Sequence, residues 1–392
     1  MICLSLLLLA FLLLAQEAAS RPSRMSQQNA VAVGKAIYFL TNDQANGVVA
    51  IPIGADGTLS QGTVTGTGGC GSVALNSDNQ PATPDALVSQ SALTLVGDHI
   101  FAVNAGPTPL VCWPSRPPTQ PSLRLYDGCS GRHLVQQLLR ERTWSHGQAA
   151  PFELDQTTPP VGPTNTVSQT FFSADEPLLF TTVKGDPPTN KTGFLSAFAV
   201  EQVQAADGAT VMTLAGVDTR STPKGTAVLF GSQVIPGTSN IFVTDAAFGA
   251  AILSVDPVTV EATTIAKVEV DGQVATCWVA ISPATGTAFV TDTGLNRLVE
   301  MNIQDASILS ELDLSANGDP GLIDLRAAGN FVYALSPGNG TTEAAVTVID
   351  VSGGSGSATM IQHFGLSCLA GQNAQREWRF LRNGYISHCV GG

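Results

Sequence analysis

The sequence predicts an all-β fold, a seven-bladed propeller with one blade disrupted. Three observations predict it. An apolar phrase ending in Thr-Asp occurs twice, as FVTDAAFGAAILSVD from Phe242 and as FVTDTGLNRLVEMNI from Phe289. Looser relatives of that phrase run through the rest of the chain. Only 12% of the 392 residues are charged and 39 are glycine; with abundant Val and Thr, this is the composition of short strands and many turns rather than of helices.

The units follow in order. The first is YFLTNDQANGVVAIPIGADGTLS from Tyr38, and HIFAVNAG from His99 belongs to the second. LLFTTVKGD from Leu178 and GFLSAFAV from Gly193 form the third, and the phrase at Phe242 marks the fourth. The fifth is complete: CWVAISPATGTAFVTDTGLNRLVEMNIQDASILSELDL predicts strands near 277–282, 287–292, 297–303 and 307–313, separated by Pro, Gly and Asn turns. NFVYALSPG from Asn330 and AVTVIDV from Ala345 form the sixth. A four-stranded unit of roughly 40–50 residues is a propeller blade. One sheet cannot bury both its faces alone, whereas radial stacking lets each sheet cover its neighbour. Asn42, Asn104, Val183, Asp245, Asp292 and Ser336 then occupy one position, the rim end of each second strand. The long interval between Asn104 and Val183 leaves room for a seventh blade, and the C-terminal segment is expected to close the ring beside the first unit.

Two stretches, 107–148 and 376–392, lack strand alternation and concentrate Arg and three of the four Trp residues, Trp113, Trp144 and Trp378. They read either as a basic, aromatic lid over the channel or as sequence foreign to the fold, from a shifted reading frame or a retained intron. The expected organisation is a signal peptide at 1–20, a tail at 21–29, a propeller over 30–375 with 107–148 irregular, and an atypical tail at 376–392.

The apolar run Ile2–Ala15, followed by Ala18, Ala19 and Ser20, predicts export. It is shorter than the roughly 20 residues that span a bilayer, so no membrane contact is expected after its removal. Cys3 leaves with it. Cys70, Cys112, Cys129, Cys277, Cys368 and Cys389 remain as disulfide candidates for an oxidising compartment, with the pairing open. Asn190-Lys-Thr and Asn339-Gly-Thr are candidate glycosylation sites, or chance triplets. A net charge of −13 with no basic stripe argues against nucleic acid. No Cys/His cluster suggests a metal, no cofactor is implied, and a monomer is expected.

NTVSQTFFSADEPLLFTTVKGD, with DQTTPPVGPTNT before it and KTGFLSAFAV after it, resembles secreted fungal propellers of the carboxymuconate cyclase-like family. So do YFLTND, the GTGGCGS loop, DALVSQSALTLVGDHIFAVNAG and GQNAQ. The family sits among the lactonase-type seven-bladed propellers, beside phosphogluconolactonases, and the resemblance covers about 30–106 and 150–375. It implies a fungal, extracellular or cell-wall protein. The family's cyclase closes a muconate dicarboxylate into a lactone at the channel mouth, using a His, a Glu and paired Arg; Arg forks hold carboxylates, and an acid or base moves the proton. Where catalytic members carry Pro-His, this chain has Val167-Ser168-Gln169. Where they carry Arg-His and a Glu, it has Thr226-Ala227-Val228 and Asp245. Where they carry Asn-Arg-Gly, it has Thr291-Asp292-Thr293-Gly294. The resemblance therefore does not carry the cyclase activity with it.

The candidate sites are a ligand rim and a few weak catalytic candidates. Asn42, Asp43, Asn104, Asp186, Asp245, Asp292 and Asn296 either line a channel mouth suited to a cation or polyol, or stabilise their own turns. Lys184, the one cation of that layer, either grips a carboxylate or pairs with Asp186 at the surface. Lys184, Asp245, Asp292 and His146 are the weak catalytic candidates. His146 also reads as a plain loop residue, His99 as a turn residue, and His363 as a strand histidine satisfied by a neighbour. Two functions remain: a non-catalytic binder of a small or glycan ligand at the channel mouth, and a lactonising isomerase or lactonase.

Overall fold

The computed structural model describes residues 34–82, 85–96, 99–106, 111–114, 124–125, 143–144, 152–204, 208, 210–339, 341–369 and 387–391. All belong to the compact unit Val33–Gly392; the other unit, Met1–Ala32, which contains the expected signal peptide, lies outside the described residues.

Six antiparallel sheets follow one another along the chain. Sheet 1 contains Ala36–Leu40, Gly47–Pro52 and Thr63–Gly66. Sheet 2 contains Leu93–Val96, His99–Ala102, Val111–Pro114 and Arg124–Leu125. Sheet 3 contains Val167–Phe172, Leu178–Val183, Phe194–Gln204 and Thr210–Leu214, with Thr219–Ser221 beside its third strand and Thr143–Trp144 parallel to its fourth. Sheet 4 contains Leu229–Val234, Ile241–Asp245, Gly249–Val255 and Ala262–Glu269. Sheet 5 contains Thr276–Ile281, Ala288–Asp292, Arg297–Met301 and Ile308–Asp313. Sheet 6 contains Asp324–Ala328, Phe331–Ser336, Ala345–Asp350 and Thr359–Gly365.

The first strands of successive sheets pack on one another, from sheet 3 through to sheet 6. Ser387–Gly391 then pairs with Ala36–Leu40 as the inner strand of sheet 1, between the first strands of sheets 6 and 2. Ser387–Gly391, from the tail that lacked strand alternation, thus supplies the inner strand of sheet 1. This is a propeller arrangement. Six sheets stand among the described residues. Most of 107–150, where a seventh blade was expected, lies outside them. The short strands that are described there join sheets 2 and 3 instead.

Burial explains the sequence pattern. Ile241–Asp245, Ala288–Asp292 and Thr276–Ile281 are buried throughout, because each inner strand is covered on both faces by neighbouring sheets. Such strands read as unbroken apolar runs. The outer strand Ile308–Asp313 alternates half-buried and exposed, because its far side meets solvent. Between sheets 4 and 5, Phe242 and Ile252 pack with Val279, Val290 and Val299. Between sheets 3 and 4, Phe180 and Leu195 pack with Leu229, Ile241 and Leu253. Each such fully buried side chain contributes about 1.5–3 kcal/mol of transfer free energy.

The junction of sheets 6 and 1 is additionally laced by polar contacts. Tyr333 Oη donates to Gly57 O at 3.0 Å. Gln362 accepts from Leu59 N at 2.7 Å and donates back to Leu59 O at 3.0 Å. Gly57 has φ +82°, and a Cβ there would overlap the Phe331 ring. No other residue type meets both conditions.

Candidate functional site

The repeated Thr-Asp phrase ends at the rim, and its two acids make the same three bonds. Asp245 accepts from Ala227 N at 2.7 Å, Val228 N at 2.9 Å and Ala247 N at 3.0 Å. Asp292 accepts from Val274 N at 2.9 Å, Ala275 N at 3.2 Å and Gly294 N at 3.0 Å. Each carboxylate thus pins the loop that enters its own first strand and the turn that follows its second. Asp245 and Asp292 are 0% and 2% exposed, so neither presents a face to a ligand. Burial raises the Asp245 pKa, against the opposing pull of its three amides. Asp245 pairs opposite Leu229 and Asp292 opposite Thr276, so both acids sit at the end of their sheets where the first strand begins.

The remaining rim residues are engaged in other ways. Asn42 exchanges bonds with Ser72, donating to its carbonyl at 2.5 Å and accepting from its amide at 3.3 Å. Asn104 Oδ1 accepts from Asn46 Nδ2 at 2.9 Å and Thr67 Oγ1 at 2.8 Å. Asp43 is half-buried in the turn after Asn42, and its carbonyl accepts from Gly71 N at 2.7 Å. Asp186 precedes the 3-10 turn Pro187–Thr189 and accepts from Thr164 Oγ1 at 2.9 Å and from Thr189 Oγ1. Asn296 Nδ2 donates to Leu314 O at 2.8 Å and Asn317 Oδ1 at 2.5 Å. The structure therefore brings these residues to the rim without gathering them into one open constellation.

Lys184 makes no surface pair with Asp186, because it is 1% exposed. Its Nζ donates to Val88 O and lies 4.8 Å from the centroid of the Phe230 ring. Burial lowers its pKa to about 8, while Asp85 and Cys277 act in the opposite direction. Cys277, a disulfide candidate by sequence, is a buried free thiol whose pKa is driven well up, first by burial and then by Asp85. Cys277 shares its core cluster with Phe230 and Trp278.

Val88 belongs to a segment, Asp85–Ala92, that crosses the inner strands of four sheets. Gln90 N donates to Ser168 O of sheet 3 at 2.7 Å, and Gln90 Nε2 donates to Val279 O of sheet 5 at 3.1 Å. Ser91 Oγ accepts from Gln169 of sheet 3 and from Arg326 of sheet 6, each at 3.3 Å. Gly231 of sheet 4 lies so close that a Cβ would overlap Gln90 Oε1 and the Cys277 carbonyl. This segment fills the axis where the first strands converge. It also explains Ser168 and Gln169, which stand where a catalytic His was sought. Ser168 Oγ donates to Leu229 O at 2.6 Å, and Gln169 Oε1 accepts from Ser232 N at 2.6 Å. Gln233 repeats the device, accepting from Ile281 N at 2.7 Å. The recurrent Ser-Gln pairs at 89–90, 168–169 and 232–233 were the available signal for this lacing.

Two further groups complete the inventory. Glu300, a lone acid in RLVEM that sequence reasoning missed, accepts from Thr287 Oγ1 at 2.7 Å, Ser310 Oγ at 2.8 Å and Gly356 N at 2.8 Å. Desolvation is the largest influence on it, yet these bonds together leave its pKa lowered. His363 Nε2 pairs with Asp319 Oδ2 at 3.0 Å, as a strand histidine satisfied by a neighbour. The side chains of Asn190 and Asn339 are exposed. Cys70 is half-buried. His146 and Cys129 lie outside the described residues, as do the side chains of His99, Cys112, Cys368 and Cys389. Among the described residues no group of three or more His, Cys, Asp or Glu is placed to hold a metal ion.

No family model and no curated protein matches the chain. Solved structures similar to it include a nidogen/laminin complex, at 10% identity over 90% of this chain and 97% of that one, with a TM-score of 0.46. A putative 6-phosphogluconolactonase from Bacteroides uniformis matches at 14% identity over 85% of this chain and 83% of its own, with a TM-score of 0.47. A second putative 6-phosphogluconolactonase, from Bacteroides fragilis, matches at 10% identity over 88% and 83%, with a TM-score of 0.41. The propeller assignment rests on the six sheets themselves.

Proposed function

We propose that the chain is a secreted, non-catalytic propeller of the fungal carboxymuconate cyclase-like kind, located extracellularly or in the cell wall. In this reading it acts as a monomer without cofactor, has seven blades with one disrupted in 107–148, and binds a small or glycan ligand at the channel mouth. The observation that carries the non-catalytic reading is the engagement of Asp245 and Asp292. Each is buried with three backbone amides on its carboxylate, so neither is placed to exchange a proton with a substrate. The exposed side chains of Asn190 and Asn339 suit glycan attachment on an exported protein.

One observation favours the alternative, a lactonising isomerase or lactonase. Lys184 is an amine whose pKa burial lowers to about 8, and perturbed amines of this kind gather at functional sites. The deciding experiment assays the purified full chain against muconates and simple lactones, alongside Lys184→Ala. The binder reading expects no turnover by either protein. Turnover by the parent that Lys184→Ala abolishes would establish the enzyme instead.

A further inference from the structure

The face opposite the rim carries a cleft between sheets 3 and 4. Three hairpins build it: 173–177 between the first two strands of sheet 3, 235–240 between the first two of sheet 4, and 256–261 between the last two of sheet 4. Its volume is about 600 Å³, within the range of small-molecule sites. Half-buried Leu178, Val234 and Val260 supply apolar surface over the buried Phe180 and Val255, and exposed Asp175 and Asp256 supply charge. Among the described residues no Lys, Arg or His lines it.

The walls are preformed. Asp256 Oδ1 accepts from Val258 N and Thr259 N, each at 2.8 Å, which fixes the carboxylate in its turn. Those amides also hold its pKa below the usual carboxylate value, so it stays ionised at neutral pH. Three non-glycine residues in these hairpins have left-handed backbones: Asp175 at φ 60°, Glu176 at 63° and Val260 at 63°. Asp tolerates that region, whereas a β-branched residue there is strained. Val260 nevertheless holds this conformation while packing on the sheet 3–4 core and facing the cleft. Strain of this kind persists where the surroundings over-determine it, and it gathers at ligand sites.

We propose that this cleft binds a compact organic cation, an ammonium group on an apolar body, with the body against Leu178, Val234 and Val260 and the ammonium at Asp175 and Asp256. An anion would meet two carboxylates and no counter-charge, on a chain whose net charge is already −13. A neutral polyol would gain nothing from the apolar surface and would forgo the charged contacts. The site lies at the opposite end of the strands from the channel mouth, so it stands or falls independently of any ligand there.

The test titrates the full chain with benzylammonium, benzyl alcohol and phenylacetate, followed by calorimetry or ligand-observed NMR. Benzylammonium is expected to bind saturably, about fivefold or more tightly than benzyl alcohol, with affinity falling as salt is raised. Phenylacetate is expected not to bind. Asp175→Asn combined with Asp256→Asn keeps both side-chain shapes and the turn acceptor, and should reduce benzylammonium affinity about fivefold. Ser239→Trp, from an exposed position at the cleft mouth, should abolish binding without unfolding the chain, as checked by circular dichroism. Equal binding of the amine and the alcohol, indifference to the double substitution, or no saturable binding of the amine would each overturn the proposal.

Discussion

Sheets 4 and 5 and sheets 1 and 2 solve the same rim problem with different chemistry. In sheets 4 and 5 a single buried carboxylate per sheet gathers three amides from its own loops. In sheets 1 and 2 the work falls to neutral groups that reach between sheets. Asn46 accepts from Asn42 N and Gly47 N, each at 2.9 Å, and passes a bond to Asn104 Oδ1, which Thr67 also meets. The acid device is local and self-contained, so it can be copied from blade to blade. The amide device depends on which sheet lies next door, so it cannot. The lesson is that a repeated acid at a propeller rim is first a tie for its own blade, and needs a free oxygen before it is a catalyst.

The contrast can be broken most forcefully at the acids. Asp245→Ala leaves three amides without a partner where water does not replace the carboxylate. Loss of charge-assisted bonds in a buried setting should cost about 4 kcal/mol. Asp292→Ala should cost a similar amount, and Asp245→Asn clearly less, because one acceptor oxygen survives. Urea unfolding midpoints check the order. A loss under about 1 kcal/mol for both alanine variants would remove the acids from their structural role.

The axis offers the next largest effect, and it is set by pH. Lys184 has a folded pKa of about 8 against an ordinary value of 10.5. Between those values the unfolded chain binds a proton that the folded chain does not, so this group's contribution to stability rises with pH across that window. The full excursion corresponds to about 3 kcal/mol. Lys184→Met should flatten that rise, and the difference between parent and variant isolates it from other groups titrating in the same range. Parallel stability profiles for the two proteins would show that Lys184 is not buried against the Asp85–Ala92 segment.

The amide net should give the smallest loss, and one independent of pH. Asn46→Ala removes the hub but leaves its partners near other polar groups, at a cost of about 2 kcal/mol. A double change, Asn46→Ala with Asn104→Ala, should be markedly non-additive because the two share a bond, whereas Asp245→Ala and Asp292→Ala should add. Additivity in the first pair, or coupling in the second, would erase the distinction between the two regions.

Much of the fold was legible because inner strands announce themselves. CWVAIS and AFVTD are apolar runs that close on polar residues, with turn residues on either side, and the four strands expected near 277–313 fall within one or two residues of those observed. The equivalence of Asp245 and Asp292 was legible from the phrase itself. Their partners were not, since a backbone amide has no signature in sequence. Lys184 misled for a related reason. Its place after LLFTTV marks the rim, but the direction of its side chain depends on Val88 and Phe230, far away in the chain. Cys277 was counted with the disulfide candidates from composition, which carries no sign that the thiol is buried in the core beside Trp278.

The central claim is that the rim acids are ties within their blades. Backbone amide hydrogen exchange, resolved to Ala227, Val228, Val274 and Ala275 in the parent and in Asp245→Ala, addresses it directly. All four amides should be protected in the parent, and the variant should lose protection at Ala227 and Val228 while Val274 and Ala275 keep theirs. Fast exchange at these amides in the parent, or unchanged protection in the variant, would contradict it.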